Sequence, residues 1–368
     1  MKKILYITTV GLTMSFFDNL IKNLVEEGHT VDIACNDKEH PVHPCFYELG
    51  CRVYTIDCSR TPFDKGNLRA IKQIERLTEK EHYDIVHCHT PVAAMCARLA
   101  CIKARKRGTK VIYTAHGFHF YKGAPLKNWL LYYPVEKFCA HFTDVLITIN
   151  HEDYELAKKK MKAKRVVYVP GVGIDIEKFA YCTVDRAAKR KELGIPEDAT
   201  LLLSVGELNK NKNHKVVIRA IKDLDVYYAI AGSGELQTYL QKLIDDLDLS
   251  DRVKLLGYRD DVAQLYKAAD MFVFPSIREG LGLAPIEAMA SGLPLVVADN
   301  RGTREYAVEG KTGFICKCDS VEGFRQVICD LMNDLNMRKN ISMNNKETAK
   351  QFDVLTVQKQ IMEIYNSD

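Results

Sequence analysis

The sequence predicts an α/β protein of two Rossmann-like, doubly wound parallel-sheet domains facing across a cleft. Three observations carry that expectation. The chain's 368 residues exceed one ordinary core and suit two domains of about 150–200 residues each. Short apolar runs alternate with amphipathic helical stretches, as strands buried on both faces by crossover helices do. The alternation breaks at a segment bearing Pro and Gly, Pro170–Phe179 (PGVGIDIEKF), and then starts again.

Taken in order, Ile4–Thr9 reads as a buried strand, Ser15–Glu27 as a helix ended by Gly28, and Thr30–Ala34 as the second strand. The opening MKKILYITTV places two lysines before an apolar run, as a signal peptide does. The run is short, has no small-x-small cleavage site and gives way to polar residues, so a first strand is the better reading. Further strands fall at Arg52–Ile56, Ile85–Cys88, Val111–Thr114, Val145–Thr148 and Val166–Val169, with helices at Leu68–Glu79, Val92–Lys106 and Tyr132–Ala140. The second half repeats the theme with strands at Leu201–Val205, Val226–Ala231, Val253–Leu256, Met271–Pro275 and Leu295–Ala298. Helices at Asn213–Lys222, Gly234–Leu247 and Ala284–Ala290 separate them, and the tail from Val321 is helical by pattern. The expected domains are 1–169 and 170–349, with a C-terminal helix over about 350–368 placed to pack back on the first.

Composition narrows the function classes. A hydrophobic share of 47% with 27% charged residues describes a soluble globular chain. No run approaches the roughly 18 apolar residues of a membrane span. A net charge of +4 without a basic arm argues against a nucleic-acid partner. Twelve cysteines with no CxxC pair and no export signal suit reduced thiols in a cytoplasm. His87, Cys88 and His89 resemble a metal cluster, but neighbours on a strand point to opposite faces, so no metal site is expected. Asp223-Leu-Asp225 and Asp246-Leu-Asp248 read as solvated faces and not as a metal-binding acidic pair.

Ligands of open α/β sheets bind beyond the carboxyl ends of the strands. The sharpest signal there is FVFPS leading into IREGLGLAPIEAMASG. Gly280 and Gly282 let backbone approach a ligand, Leu281 lies between them, and a helix beginning near Leu283 and Ala284 offers unpaired N–H groups to a diphosphate. Pro285 suits the first turn of that helix. Glu279 and Glu287 would repel phosphates, so they fit hydroxyl recognition: Glu279 for a sugar ring, Glu287 for a ribose. AGSGEL, with Gly232, is a partial phosphate-loop pattern lacking the GK[ST] of an ATP loop. His116 ends another strand, where imidazole can donate to hydroxyls.

These residues resemble the Glu-x7-Glu motif of the retaining glycosyltransferases of family 4, which have the two-Rossmann GT-B architecture. The likeness extends through SVGELNKNKNH, AGSGEL and LGYRDDV, and through DIVHCHTP and YTAHGFHFYKGAPLKNWLLYYPVEKF, a block similar to enzymes of bacterial exopolysaccharide and capsule assembly. The resemblance implies an acceptor-binding first domain and a donor-binding second one. It implies that Lys212, in the loop Gly206–His214, holds the donor diphosphate; many members carry arginine where this chain has Glu207. It further implies Gly11 near the donor phosphates, Arg259 or its backbone near the nucleobase, and His116 near the donor sugar. His89 and His119 fall to the acceptor side. No metal or other cofactor is implied, and the anomeric configuration is retained.

Phe118–Phe138 interleaves aromatics, Trp129 among them, with lysines, and Lys103–Lys110 and Lys158–Arg165 add basic patches. This suits an interfacial element on anionic lipid. The reading is a cytoplasmic glycosyltransferase, peripheral on the inner face of the cell membrane. It moves a hexose or N-acetylhexosamine from a nucleotide-sugar, UDP-linked, to a polyisoprenyl-diphosphate-linked sugar. A nucleotide-sugar epimerase of the same architecture and an inactive nucleotide-binding subunit of an assembly complex are the alternatives.

Overall fold

The computed structural model describes residues 1–38 and 40–367. They pack as two units: Met1–Val172 together with the C-terminal segment from Val357, and Gly173–Thr356. The chain crosses between them after Val172, and it returns at Val357, several residues beyond the helix start expected near 350. Ile174 stays in the second unit, its N–H donating to the carbonyl of Phe352 at 3.0 Å.

The first unit holds seven parallel strands, β1 Lys3–Val10, β2 Thr30–Asn36, β3 Arg52–Thr55, β4 Ile85–His89, β5 Lys110–Ala115, β6 Val145–Thr148 and β7 Arg165–Tyr168. They lie in the order β3-β2-β1-β4-β5-β6-β7. Side chains alternate between two cores, as the two-residue period of a strand demands. Leu5, Ile7 and Val86 enter one core; Ile4, Tyr6 and Ile33 enter the other. The helix Val354–Asn366 closes the second of these cores with Val357, Ile361, Ile364 and Tyr365. Tyr365 also fixes it by polar contacts: its hydroxyl lies 2.6 Å from that of Tyr6 and 2.7 Å from Nδ1 of His87, whose Nε2 meets Oγ1 of Thr114 at 2.8 Å.

The second unit holds six parallel strands, β8 Thr200–Val205, β9 Val226–Ala231, β10 Val253–Gly257, β11 Met271–Phe274, β12 Leu295–Ala298 and β13 Gly313–Cys316, ordered β10-β9-β8-β11-β12-β13. In each sheet the chain runs outward from one strand and then restarts on its other side. That places a topological switch point between β1 and β4, and another between β8 and β11. β13 is an addition to the strands read from sequence. The expected helix Ser15–Glu27 is a 3-10 turn over Gly11–Phe17 followed by a helix over Asp18–Glu26. Tyr132–Ala140 proves to be the end of a longer helix, Leu126–Cys139, which tolerates Pro134 inside it.

Candidate functional site

In the second unit the switch point is built by the loops that follow β8 and β11. β11 reads MFVF and is wholly buried; Pro275 ends it. The chain then turns through Glu279 and Gly280 to Gly282, which caps the helix Leu283–Ala290 with φ at +87°. Only glycine adopts that conformation without strain. A Cβ here would also stand 3.1 Å from Cε1 of Phe274 and 3.3 Å from the Tyr306 hydroxyl. No side chain caps this helix start, and Gly282, Leu283 and Ala284 are half-buried. Its dipole favours an anion placed there.

Lys212, from the loop after β8, reaches the same place. Its Nζ lies 2.7 Å from Oε1 of Glu279 and 4.8 Å from the centroid of the Phe274 ring. Cross-links hold the two loops in register. Ile277 N–H donates to the Asn211 carbonyl at 2.8 Å, and Asn211 Nδ2 to the Arg278 carbonyl at 2.9 Å. Asn213, buried with φ at +54°, donates to the carbonyls of Pro275 and Cys318. Gly206 leaves room for the lysine stem, since a Cβ there would stand 3.3 Å from Cε of Lys212. Glu207 is exposed and accepts from Nδ2 of Asn209 at 2.8 Å.

Glu287 sits one helix turn inside. One of its oxygens, Oε2, accepts from the buried Tyr266 hydroxyl at 2.8 Å. Burial raises the Glu287 carboxyl above its ordinary range, with the Tyr266 bond and Lys178 pulling the other way. Two other sequence candidates, Gly232 and Arg259, are engaged by neighbouring residues. A Cβ on Gly232 would fall 1.9 Å from the Gly206 carbonyl oxygen, so this glycine serves the close packing of the 231–236 turn on the Lys212 loop. Leu208 N–H to Ser233 and Leu236 N–H to Leu208 complete that packing. The guanidinium of Arg259 is turned toward Glu192 at 2.6 Å and toward both oxygens of Asp261 at 2.7 and 2.6 Å. Two carboxylates engage it, and at this strand end the exposed group is Tyr258.

In the first unit the carboxyl ends of β4 and β5 bring two candidates together. Nε2 of His116 lies 3.1 Å from Nδ1 of His89, so one of these rings donates to the other. His89 packs against Tyr6, Phe17 and His87 and is buried, its Nε2 without a partner among the described residues. Burial depresses His116 to about 4 and His89 well below its usual value, so both are neutral imidazoles near neutral pH. Gly11 follows β1 and packs against backbone; a Cβ there would lie 2.5 Å from the carbonyl oxygen of His40. His119 is stacked on Tyr132 at 4.5 Å.

The chain matches two family models, Glycosyl transferase 4-like over residues 3–150 and Glycosyl transferases group 1 over residues 185–348. Over its whole length it is 37% identical to "Putative glycosyltransferase EpsD" of Bacillus subtilis (strain 168), covering 97% of that protein. The chain belongs to the glycosyl transferases group 1. This glycosyltransferase is also 31% identical, over 73% of its own length and 71% of the relative's, to "UDP-Gal:alpha-D-GlcNAc-diphosphoundecaprenol alpha-1,3-galactosyltransferase" of Escherichia coli. Among solved structures it resembles HepE of Anabaena in complex with UDP, with a TM-score of 0.82 at 20% identity over 99% of each chain. The HepE complex with UDP-glucose gives 0.81 at 20% identity, again over 99% of each chain. The fold is the two-domain Rossmann-like GT-B architecture.

Several residues of the candidate site escape sequence reading. Phe274 lies under both Lys212 and Gly282, and Tyr266 anchors Glu287. After β12, Asn300 donates to the Ser276 carbonyl at 2.9 Å and accepts from the N–H groups of Gly302 and Thr303. Gly302 fits against the Glu279 loop, where a Cβ would meet Cβ of Glu279 at 2.9 Å. The signal available was a glycine in a polar turn, NRGTRE, directly after an apolar strand. Among the described residues, no group of three or more His, Cys, Asp or Glu could hold a metal ion.

The aromatic segment of this glycosyltransferase also differs from expectation. Phe118 and Phe120 are buried, and Trp129, Tyr132 and Tyr133 pack partly buried against the same core, because rings of that size gain most by leaving water. The exposed apolar side chains of the helix are aliphatic for the most part: Leu126, Leu130, Leu131 and Val135, with Phe138. Among the described residues, no helix is long and apolar enough to cross a membrane.

Proposed function

We propose that this glycosyltransferase is a retaining enzyme of family 4. It moves a hexose or N-acetylhexosamine from a UDP-sugar to a polyisoprenyl-diphosphate-linked saccharide in bacterial exopolysaccharide or capsule assembly. The observation that carries the reading is the Lys212–Glu279 contact of 2.7 Å beside the uncapped start of the helix Leu283–Ala290. It sets a cation and a helix dipole where a diphosphate would bind, and a carboxylate beside them for the sugar. Glu287, with one oxygen engaged by Tyr266, keeps its other for a ribose hydroxyl. His116, a neutral imidazole at a strand end of the first unit, can donate to a sugar hydroxyl.

In this scheme the bond from the anomeric carbon to the donor diphosphate breaks as the acceptor hydroxyl attacks from the same face. The hydroxyl proton passes to the departing diphosphate oxygen. Lys212 and the helix N-terminus stabilise the charge that develops there, without a metal or other cofactor. The names of the relatives support the substrate class: HepE is solved with UDP and UDP-glucose, and the E. coli relative is named for a UDP-Gal donor and a GlcNAc-diphosphoundecaprenol acceptor. The exposed apolar side chains of the helix Leu126–Cys139, flanked by Lys127 and Lys137, support peripheral contact with the inner face of the cell membrane.

The test incubates the full chain with a panel of UDP-sugars and a prenyl-diphosphate-linked N-acetylhexosamine, reading transfer, hydrolysis, and the anomeric configuration of the product by NMR. An α-product from an α-donor, lost in Glu279→Ala, is expected. Interconversion of donors without acceptor would instead identify an epimerase, and binding without turnover an inactive subunit. An equally active Glu279→Ala variant would sink the site assignment.

A further inference from the structure

Beside the Gly11 loop, the first unit has a polar cavity at the carboxyl ends of β1, β2 and β3. Its volume is about 430 Å³ and its walls include Lys38, Asp57, Arg60, Asp64, Gly66 and Arg69. We propose that this cavity receives the diphosphate of the lipid-linked acceptor, with Phe63 and Leu68 meeting the isoprenoid chain. The inference rests on the acceptor class proposed above and deepens it.

The cavity is built to hold cations in place. Asp57 binds Nζ of Lys38 and Nε of Arg69, each at 3.0 Å, with one oxygen apiece. Lys38 first and Arg69 second keep its carboxyl below the usual carboxylate range. Both cationic side chains are 64% exposed and so have N–H groups to spare for a ligand. Arg60 rides on a loop clamped by buried Asn67, whose Oδ1 accepts from Ser59 N–H at 3.0 Å. The amide of Asn67 donates to the carbonyls of Thr61 and Pro62 at 2.9 and 3.1 Å. The second carboxylate, Asp64, is occupied with the Gly66 N–H at 2.6 Å. Gly66, which lines the cavity, begins a helix of 16 residues, Gly66–Glu81, so the positive end of that helix adds to the local field although the N–H groups of Gly66, Asn67 and Leu68 are bonded to Asp64 and Lys65.

The surroundings point to an amphiphile. Phe63 is 81% exposed and Leu68 66% exposed, one on the loop that leads into Gly66 and one in the first turn of the helix. Inorganic phosphate would use the three cations and leave those side chains in water. A prenyl diphosphate uses both, and the strand-end location leaves its sugar on the side of the sheet where His89 and His116 lie.

The experiment compares three acceptors bearing the same saccharide: a long prenyl diphosphate, a two-isoprene diphosphate and an octyl glycoside without phosphate. Arg60→Ala with Arg69→Ala should raise KM for both diphosphate acceptors by about tenfold per charge-assisted bond lost. It should leave kcat and the KM of the octyl glycoside near wild type, and lysine at both positions should restore part of the effect. Phe63→Ser should erase the preference for the long over the short prenyl chain. Should the double variant fold poorly, Arg60→Ala alone, on an exposed loop, gives the same readout at half the effect. An unchanged KM for the diphosphate acceptors, or an equal rise for the glycoside, would overturn the cavity assignment and leave the acceptor class standing. Transfer by wild type to the glycoside but to neither diphosphate acceptor would overturn both.

Discussion

Removing the Lys212 ammonium gives the sharpest test of the donor site, because its structural and chemical roles predict effects of different size. The ammonium is held by Glu279 at 2.7 Å and by the Phe274 ring, with side chains 21% and 15% exposed for the ion pair. A partly exposed pair of this kind contributes about 1 kcal/mol to stability. Lys212→Ala should therefore lower the melting midpoint of the second unit, Gly173–Thr356, by about 2–4 °C. The chemical role is larger. One preorganised donor facing the charge that develops in a transition state is worth about 2.7–4 kcal/mol, or roughly 10²–10³ in kcat. Steady-state transfer assays at a temperature where both proteins are folded read this directly. The double variant Lys212→Ala/Glu279→Gln separates two explanations of a loss. If the lysine only neutralises Glu279, the double variant matches Glu279→Gln alone; if it serves the diphosphate, the double variant falls well below Glu279→Gln. Activity of Lys212→Ala within threefold of wild type, or a double variant as active as Glu279→Gln alone, would refute the assignment.

Four other outcomes follow from the geometry. Tyr266→Phe removes a hydrogen bond that lowers the Glu287 carboxyl, so Glu287 should protonate at higher pH and the acid limb of kcat/KM should move upward; an unmoved limb would disconnect Glu287 from donor binding. His214 is buried and depressed from 6.5 to about 4, first by burial and then by Lys212. Its neutral form is favoured in the folded state, so about 3 kcal/mol present above pH 6.5 is lost as pH falls toward 4, and urea titrations should show His214→Gln less acid-sensitive than wild type. Gly232→Ala would place a Cβ 1.9 Å from the Gly206 carbonyl oxygen and should cost more than about 3 kcal/mol in the same titrations. Leu130→Glu with Phe138→Glu, both on exposed positions, should reduce flotation with anionic vesicles while preserving the melting midpoint, and unaltered flotation would remove this helix from membrane contact.

The order of strands and helices was legible because burial writes itself into the sequence with a period. Runs such as LYIT, LLLS and MFVF are covered on both faces, and crossover helices bury one stripe each. The glycines of the donor loop were legible as well, since Gly282 needs a positive φ at a strand-to-helix turn. The C-terminal return was less so. Whether Val354–Asn366 covers the first sheet or the second depends on Tyr365 meeting Tyr6 and His87, a contact between residues some 280 to 360 positions apart in sequence. The aromatic segment misled for a related reason: sequence shows that rings and lysines alternate, whereas only packing decides that Phe120 and Trp129 turn inward and Leu126 and Leu130 outward.

The identity of a charge is written in the sequence, but its partner is not. Arg259 and Lys212 both stand at strand carboxyl ends, and each was a reasonable choice for a phosphate or a base. The fold separates them by what surrounds them. Arg259 faces Glu192 and Asp261, which hold it to the helix Arg186–Glu192, as they do Lys189 at 2.6 and 2.9 Å. Lys212 faces Glu279, in the loop before another helix, so on the proposed function an arriving anion competes for the lysine while Glu279 turns to a hydroxyl. The same distinction resolves the acidic residue at 207. A glutamate directly after β8 would oppose a diphosphate if it faced the switch point, but its carboxylate is exposed and bonded to Asn209, whose own Oδ1 accepts from the Lys212 N–H at 3.0 Å. Asn209 thus ties the acid to the bend that presents the lysine, and the loop sorts its two opposite charges into solvent and site.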